Sequence, residues 1–233
     1  MSMGIRKVLI TEGEYYHFYN RGNSKQAIFL DSKDYDRFVK LLFLCNSKKN
    51  VSFRVDIVEK GIDAWDFDRE DPLVSICSWV LMPNHFHLYL KALGNHGPAL
   101  FMLKIGTAYA KYFNAKYDRT GSLFEGKFKS VHVENDMQAR YLFSYIHLNP
   151  VKIIQPTWKE EGIKDKKTAI KFIENYKYSS FKDWVGAERK ESLVLNQQEL
   201  YNILPTNFSP RNDVFHWLAE GSISKAYGEN TKT

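Results

Sequence analysis

The middle of this 233-residue sequence holds its most constraining feature, two apolar segments separated by a break of two residues. Leu73–Met82 is rich in apolar and β-branched side chains, which predicts a buried strand. Pro83-Asn84 interrupts this segment, because proline lacks the N–H that a sheet ladder requires. His85–Leu93 predicts the next strand, so we expect the fold to be built around a sheet.

Further helices and strands are predicted on both sides of this central pair. Three more segments predict strands: Tyr15–Asn20, Val51–Val58 and Leu123–Val133. Capping residues and breakers predict helices from Asp31 to about Cys45, from Gly97 to about Tyr117, and from Asn135 or Asp136 through Leu148. Without Val51–Val58 the order is strand, helix, strand, strand, helix, strand, helix. Its first six elements match a split βαβ, ferredoxin-like antiparallel sheet of the α+β class, with one helix added.

The last third of the chain has a weaker pattern. Tyr178–Gly186 is aromatic but predicts no clear element, and the tail from Ser222 is expected to be mobile. Helices are expected near Asp165–Tyr176, Gln197–Leu204 and Asn212–Gly221. We therefore divide the chain into a first domain at residues 1–155 and a mostly helical C-terminal extension at residues 156–233.

Charge is distributed unevenly along the chain. The net charge is +6, yet residues 56–71 contain seven acidic and two basic residues, so this stretch carries −5 and the remainder +11. An acidic insertion at about residues 59–73, expected as a loop or hairpin tip, therefore interrupts a basic body. Such a body suits a protein that binds a polyanion, although an ordinary basic soluble protein remains the alternative.

The expected cellular compartment is predicted from features that the sequence lacks. No apolar run is long enough to span a bilayer, and no apolar stretch follows the basic pair Arg6-Lys7 at the N-terminus. Cys45 and Cys77 are the only cysteines and have no metal-binding spacing. We therefore expect reduced thiols, a cytoplasmic location and no membrane partner.

The first candidate functional motif is His85-Phe86-His87. Side chains alternate along a strand, so His85 and His87 share one face while Phe86 points to the other. Two neighbouring imidazoles supply two ligands of a metal site. The alternative is a pair of sheet histidines whose hydrogen bonds are satisfied by neighbouring groups.

The second candidate lies on the helix that ends at Pro150. Tyr145 and Asn149 are four residues apart and share a helical face. A helix laid across the sheet would bring a phenol and an amide oxygen toward the two histidines. The alternative is that Tyr145 belongs to an apolar stripe with Met137, Tyr141 and Leu148, and that Asn149 only ends the helix.

The third candidate is basic and aromatic. Lys127 and Lys129 would share a face of the Leu123–Val133 strand and follow a phosphate backbone. Aromatic side chains on the preceding helix would stack on unpaired bases: Tyr109, Tyr112 and Tyr117. A solvated basic edge of the sheet is the alternative.

These segments together resemble the HUH single-tyrosine transposases of insertion sequences, closest to the REP-associated tyrosine transposases. The resemblance covers about residues 13–187 and departs from the family at the acidic insertion and in the tail after Leu195. Five motifs carry it in family order: YNRGN at 19–23 followed by Ile28-Phe29, WVLMPNHFH at 79–87, GSLFEGKFK at 121–129, YIHLNPVK at 145–152 and YSSFKDW at 178–184.

The resemblance implies a role for each candidate. His85, His87 and Asn149 would hold a divalent ion, Mg²⁺ or Mn²⁺, and Tyr145 would be the nucleophile. The substrate would be single-stranded DNA next to a hairpin, bound with the help of Arg21, Lys127 and Lys129. A single tyrosine implies one covalent strand at a time, so a homodimer is one way to make two cuts.

Two other functions stay open at this point. The chain could be a domesticated, non-catalytic DNA-binding protein on the same fold. It could also be an unrelated metal hydrolase that uses His85 and His87 with a carboxylate, although no carboxylate stands at a characteristic spacing from the two histidines.

Overall fold

The computed structural model describes residues 9–204 and 206–220. Its central elements are β1 (Tyr15–Arg21), α1 (Ser32–Leu44), β2 (Val74–Met82), β3 (His85–Ala92), α2 (Gly97–Lys116) and β4 (Lys129–Val133). All neighbouring strands are antiparallel, and they lie in the order β2-β3-β1-β4. This is the strand order of the split βαβ sheet, so the predicted ferredoxin-like α+β fold is confirmed.

The added helix and the helical extension are also confirmed. Helix α3 spans Asp136–Leu148 and begins at Asn135, whose side chain accepts a hydrogen bond from the Gln138 N–H. Within the described residues six α-helices follow it: α4 (Val151–Ile154), α5 (Trp158–Glu161), α6 (Lys166–Asn175), α7 (Phe181–Trp184), α8 (Gln197–Tyr201) and α9 (Pro210–Glu220). The division of the chain at residue 155 stays a prediction.

Each strand contributes to two cores because its side chains alternate between the faces of the sheet. One face packs against α1 and α2 through residues that include Phe18, Phe86 and Leu88. The other face packs against α3 and the later helices through residues that include Val80 and Tyr89. The sheet is therefore covered on both sides, and the HxH histidines lie on the α3 side.

Two strand predictions were wrong. Val51–Val58 is not a strand, because its residues 53–58 form a π-helical turn. The Ser52 N–H donates to Asp56 Oδ2 at 2.8 Å, and the Val55 N–H donates to Ser52 Oγ. Such local side-chain bonds compete with a sheet ladder for the same backbone groups.

The last strand is shorter than its predicted range of Leu123–Val133, since β4 begins only at Lys129. Gly126 has a φ of 66°, a left-handed conformation that turns the chain out of an extended path. The segment before it meets the end of β1 through a single bridge between Gly22 and Phe124.

The segment Tyr178–Gly186 covers the outer edge of β2. Ser179 forms a bridge with Val80, the Leu81 N–H donates to the Tyr178 carbonyl, and α7 follows. The exposed edge of a sheet is thereby protected from further pairing. The tail from Ser222, for which the sequence predicts mobility, lies outside the described residues. No helix in the described part of the chain is both long and apolar enough to cross a membrane.

Candidate active site

The two histidines of the HxH motif open strand β3 on the face toward α3. Their ring centroids lie 5.0 Å apart. His85 is partly exposed, whereas His87 is 1% exposed because it pairs with Tyr19 of β1 on one side and with Val80 of β2 on the other. The pair therefore runs from the rim of the sheet into its covered interior.

Asn84 fixes the orientation of the His85 ring. Its Nδ2 donates to the Lys25 carbonyl oxygen at 3.1 Å, so its Oδ1 is the atom that faces His85 Nδ1 at 2.6 Å. An amide oxygen can only accept, so this contact is a hydrogen bond when His85 Nδ1 carries the proton. In the neutral ring this leaves the lone pair on Nε2, as metal binding through that atom requires.

A third histidine, His17, contacts His87 and was missed in the sequence. Its Nε2 lies 2.8 Å from His87 Nδ1, and both side chains are buried. The signal was present in β1, where His17 and Tyr19 must share a face by alternation. Finding the contact also required knowing that β1 lies beside β3, which the ferredoxin-like strand order supplies.

Tyr145 lies against this histidine pair. Its ring centroid is 5.5 Å from that of His87 and 6.1 Å from that of His17, both in edge-on contact. The side chain is 6% exposed, and Tyr141 stacks on its other side at 5.9 Å. The phenol thus belongs to the apolar core of α3 and also borders the imidazoles, so the two interpretations of the sequence are not exclusive.

Asn149 lies at the C-terminal end of α3, four residues after Tyr145. Its side chain is buried, and its Nδ2 donates to the Tyr145 carbonyl oxygen at 3.0 Å. This bond commits the amide nitrogen to the helix. Any contact between Asn149 and a metal ion would therefore come from its Oδ1.

A basic pocket opens beside the histidines. Its basic side chains are Arg21, Lys25, Lys129 and Lys152, and it is also lined by Tyr19, Asn20, Asn84, His85, His87 and Glu125. Arg21 forms an ion pair with Glu125, which lowers the pKa of that carboxyl. Four cations against one carboxylate give the pocket a net positive charge that suits a phosphate.

The three DNA-binding candidates do not all lie in this basic pocket. Arg21 and Lys129 line it, but Lys127 lines a neighbouring groove along α2. The predicted shared face of Lys127 and Lys129 was wrong because only Lys129 belongs to β4, and the alternation of a strand does not extend to Lys127.

The predicted stacking tyrosines are mainly structural. Tyr109 is buried, and its hydroxyl bonds to the Ile28 carbonyl. Tyr112 and Tyr117 donate to Asp34, a buried carboxylate at the start of α1. A different aromatic residue, Tyr19, lines the basic pocket, and its ring lies 5.8 Å from Lys129 Nζ. Burial and the neighbouring Tyr145 raise the pKa of Tyr19, while Arg21 lowers it.

The side chains fit a divalent ion in their donor chemistry. In the part of the chain that the structure describes, no three His, Cys, Asp or Glu residues cluster as a metal site. A third ligand beside His85 and His87 would thus be of another type, such as the Asn149 amide oxygen. Two imidazoles and an oxygen suit Mn²⁺ better than Mg²⁺, which prefers oxygen ligands alone.

The fold and this set of side chains define a ferredoxin-like protein with paired sheet histidines facing a tyrosine on an added helix. The model of the IS200-like transposase family matches residues 15–149, which is more than half of the chain. The chain therefore belongs to the IS200-like transposase family, and its function is of the transposase type, acting on DNA.

A comparison with solved structures found chains of similar fold. The solved structure of a REP-associated tyrosine transposase bound to a REP hairpin is similar over 81% of this chain and 90% of that chain. The sequence identity is 15% and the TM-score 0.49. No curated protein matches the chain significantly.

Proposed function

We propose that this transposase-family protein cuts and rejoins single-stranded, hairpin-flanked DNA through a covalent bond between Tyr145 and a 5′ phosphate. The observation that carries the proposal is the 5.5 Å contact between the rings of Tyr145 and His87. His87 also lines the pocket with the four cations. A nucleophile, two candidate ligands and a basic surface thus adjoin one another.

The cations and the histidines have separate tasks. Arg21 and Lys129, together with Lys25 and Lys152, would hold the DNA backbone in the pocket. His85, His87 and Asn149 would hold Mg²⁺ or Mn²⁺, which would offset the negative charge of the scissile phosphate when bound. Because both imidazoles have a partner at Nδ1, they would hold the ion with little reorganisation during the reaction.

The bond changes balance without a cofactor that is consumed. Tyr145 Oη forms a bond to phosphorus as the bond from phosphorus to the 3′ oxygen of the preceding nucleotide breaks. The phenol loses its proton and the departing 3′ oxygen gains one. The phosphotyrosine keeps the phosphoester energy, so the 3′ hydroxyl of another strand can reverse the step and be joined.

The oligomeric state and the cellular location remain proposals from the sequence. One tyrosine holds one strand at a time, so two coupled cuts would use a second copy of the chain, as a homodimer. Lys127, in the groove along α2, would contact DNA outside the pocket. Cys45 and Cys77 are buried free thiols, which is consistent with the proposed cytoplasmic location.

A covalent trapping experiment tests the proposal. Single-stranded hairpin DNA labelled on the 3′ side of the scissile phosphate is incubated with the protein and Mn²⁺ or Mg²⁺, and then separated under denaturing conditions. We expect a protein–DNA adduct from the wild type and none from Tyr145→Phe. Tyr141→Phe and Tyr19→Phe are matched controls, because the first tyrosine stacks on Tyr145 and the second lines the pocket.

Other outcomes point to other functions. DNA binding without an adduct from the wild type would contradict the proposal and favour a non-catalytic DNA-binding protein. Cleavage without an adduct would favour a metal hydrolase. An adduct that survives Tyr145→Phe but disappears in Tyr19→Phe would identify Tyr19 of β1 as the nucleophile.

A further inference from the structure

Both HxH imidazoles have a partner at Nδ1, and the two partners come from different parts of the fold. Asn84, in the turn between β2 and β3, contacts His85 at 2.6 Å. His17, on the adjacent strand β1, contacts His87 at 2.8 Å. The four side chains thus form two pairs, each with a polar atom within hydrogen-bonding distance of a ligand candidate's Nδ1.

The direction of the hydrogen bond decides whether His87 can bind a metal ion through Nε2. If His87 Nδ1 donates to His17 Nε2, the lone pair of neutral His87 is on Nε2. If His17 donates instead, His87 Nε2 carries the proton and cannot be a ligand. For His85 the choice is already made by Asn84, whose Nδ2 is used on the Lys25 carbonyl.

We propose that His17 and Asn84 are positioning residues that accept the Nδ1 protons of His87 and His85 and so hold both Nε2 atoms ready for a divalent ion. The inference rests on the proposed function, because it assigns the ion to these two histidines. Neither residue needs to touch DNA or the ion itself.

The surroundings of His17 support a fixed orientation. Its ring stacks on Tyr19 with centroids 4.9 Å apart, and the edge of Tyr145 contacts it on another side. His17 is also buried, so a hydrogen bond to its ring exchanges little with water. The backbone supports Asn84 in turn, since the Gly22 N–H donates to the Asn84 carbonyl at 2.8 Å.

The first test needs no metal and no DNA. Ring ¹⁵N shifts report the tautomer of each histidine in the full chain at about pH 8, above the ordinary histidine pKa of about 6.5. We expect His85 and His87 as Nδ1–H tautomers in the wild type. We expect loss of this state for His87 in His17→Leu and for His85 in Asn84→Ala. An Nε2–H tautomer of His87 in the wild type would overturn the proposal for His17.

The second test measures Mn²⁺ affinity by titration calorimetry on the same proteins. Loss of a ring partner generally costs about 10- to 100-fold in affinity, which we expect for His17→Leu and Asn84→Ala. His17→Gln replaces the ring nitrogen with an amide oxygen acceptor, and Asn84→Asp keeps an oxygen acceptor. Both should therefore retain more of the wild-type affinity than His17→Leu and Asn84→Ala. The matched control is His132→Leu, on neighbouring strand β4, where His132 pairs with Tyr16 rather than His17.

The outcomes separate this inference from the proposed function. Wild-type binding of Mn²⁺ with equal affinity in His17→Leu and Asn84→Ala would overturn the positioning roles and leave the proposed function standing. Absence of Mn²⁺ binding in the wild type would overturn the positioning roles, whereas the proposed function also allows Mg²⁺ and is tested separately by adduct formation. Failure of His17→Gln to restore affinity would show that His17 acts through packing or as a ligand, and would also overturn its assignment as an acceptor.

Discussion

The two faces of the same sheet have opposite characters at the start of β3. Phe86 is 2% exposed and packs among apolar side chains under α1 and α2. His85 and His87, one residue before and after it, both line the basic pocket, and His87 also contacts Tyr145 and His17. A single strand thus contributes alternately to folding and to the candidate site, so adjacent substitutions should separate stability from activity.

Among substitutions in β3, the largest expected effect is the loss of adduct formation in His85→Ala. Losing a ligand should cost more than losing the partner of a ligand, so we expect a decrease of more than about 100-fold. The measurement is the rate of adduct formation at fixed Mn²⁺, with His132→Ala as the control. A wild-type rate of adduct formation in His85→Ala would contradict the functional difference between the two faces of the sheet.

The neighbouring substitution Phe86→Ala should act on folding instead. Removing a buried phenylalanine side chain leaves a cavity, and we expect the free energy of unfolding to fall by about 3–5 kcal/mol. Denaturant unfolding measures this change. His85→Ala is the matched variant and should change the free energy of unfolding by much less, because its side chain is partly exposed. Equal destabilisation by both variants would contradict the comparison.

A smaller effect concerns the pH dependence of the free energy of unfolding, and it arises from His147 of α3 rather than from the HxH histidines. His147 is fully buried, with its Nε2 2.9 Å from Ser180 Oγ, and burial lowers the pKa of His147 to about 3. Between about pH 6.5 and pH 3 only the unfolded chain binds this proton, so stability falls with falling pH by about 1.4 kcal/mol per unit.

The variant His147→Gln tests this contribution. It removes the titrating group, so unfolding free energies measured from about pH 7.5 down to about pH 5 should decline less steeply than those of the wild type. All other titrating groups are common to both proteins. Parallel profiles would show that His147 does not carry the expected share of the acid sensitivity.

The smallest effects are expected from single lysines of the pocket. Lys129→Gln and Lys152→Gln should each reduce the salt dependence of single-stranded DNA binding by about 0.7 in the log–log slope, corresponding to one phosphate contact. Lys48→Gln is the control, because Lys48 is paired with Asp71 of the acidic insertion. Unchanged slopes for both pocket variants would place the DNA elsewhere on the molecule.

Local signals in the sequence were sufficient to predict most of the helices and strands. The Asp31 cap and the Pro83-Asn84 break predicted helix α1 and the β2–β3 pair nearly to the residue. Caps and proline act within a few residues, and their effect can be read without knowing the tertiary structure. The resemblance carried by the motifs also predicted the family, and the family-model match to residues 15–149 confirms that prediction.

The failures had both local and long-range causes. Val51–Val58 alternates like a strand, but Ser52 and Asp56 close a local turn instead. His17 looked like an ordinary strand residue until β1 was placed beside β3. Neither a pairing partner nor the direction of a side-chain amide, as at Asn149, is encoded in residue spacing.

The central claim concerns which atom becomes attached to DNA, and peptide mapping of the trapped adduct measures it directly. After nuclease and trypsin digestion, the account predicts a nucleotide on the peptide Tyr141–Lys152, with fragment ions that place the phosphate on Tyr145. A phosphate on Tyr19 or Tyr141, or an adduct that maps to no tyrosine, would contradict the account.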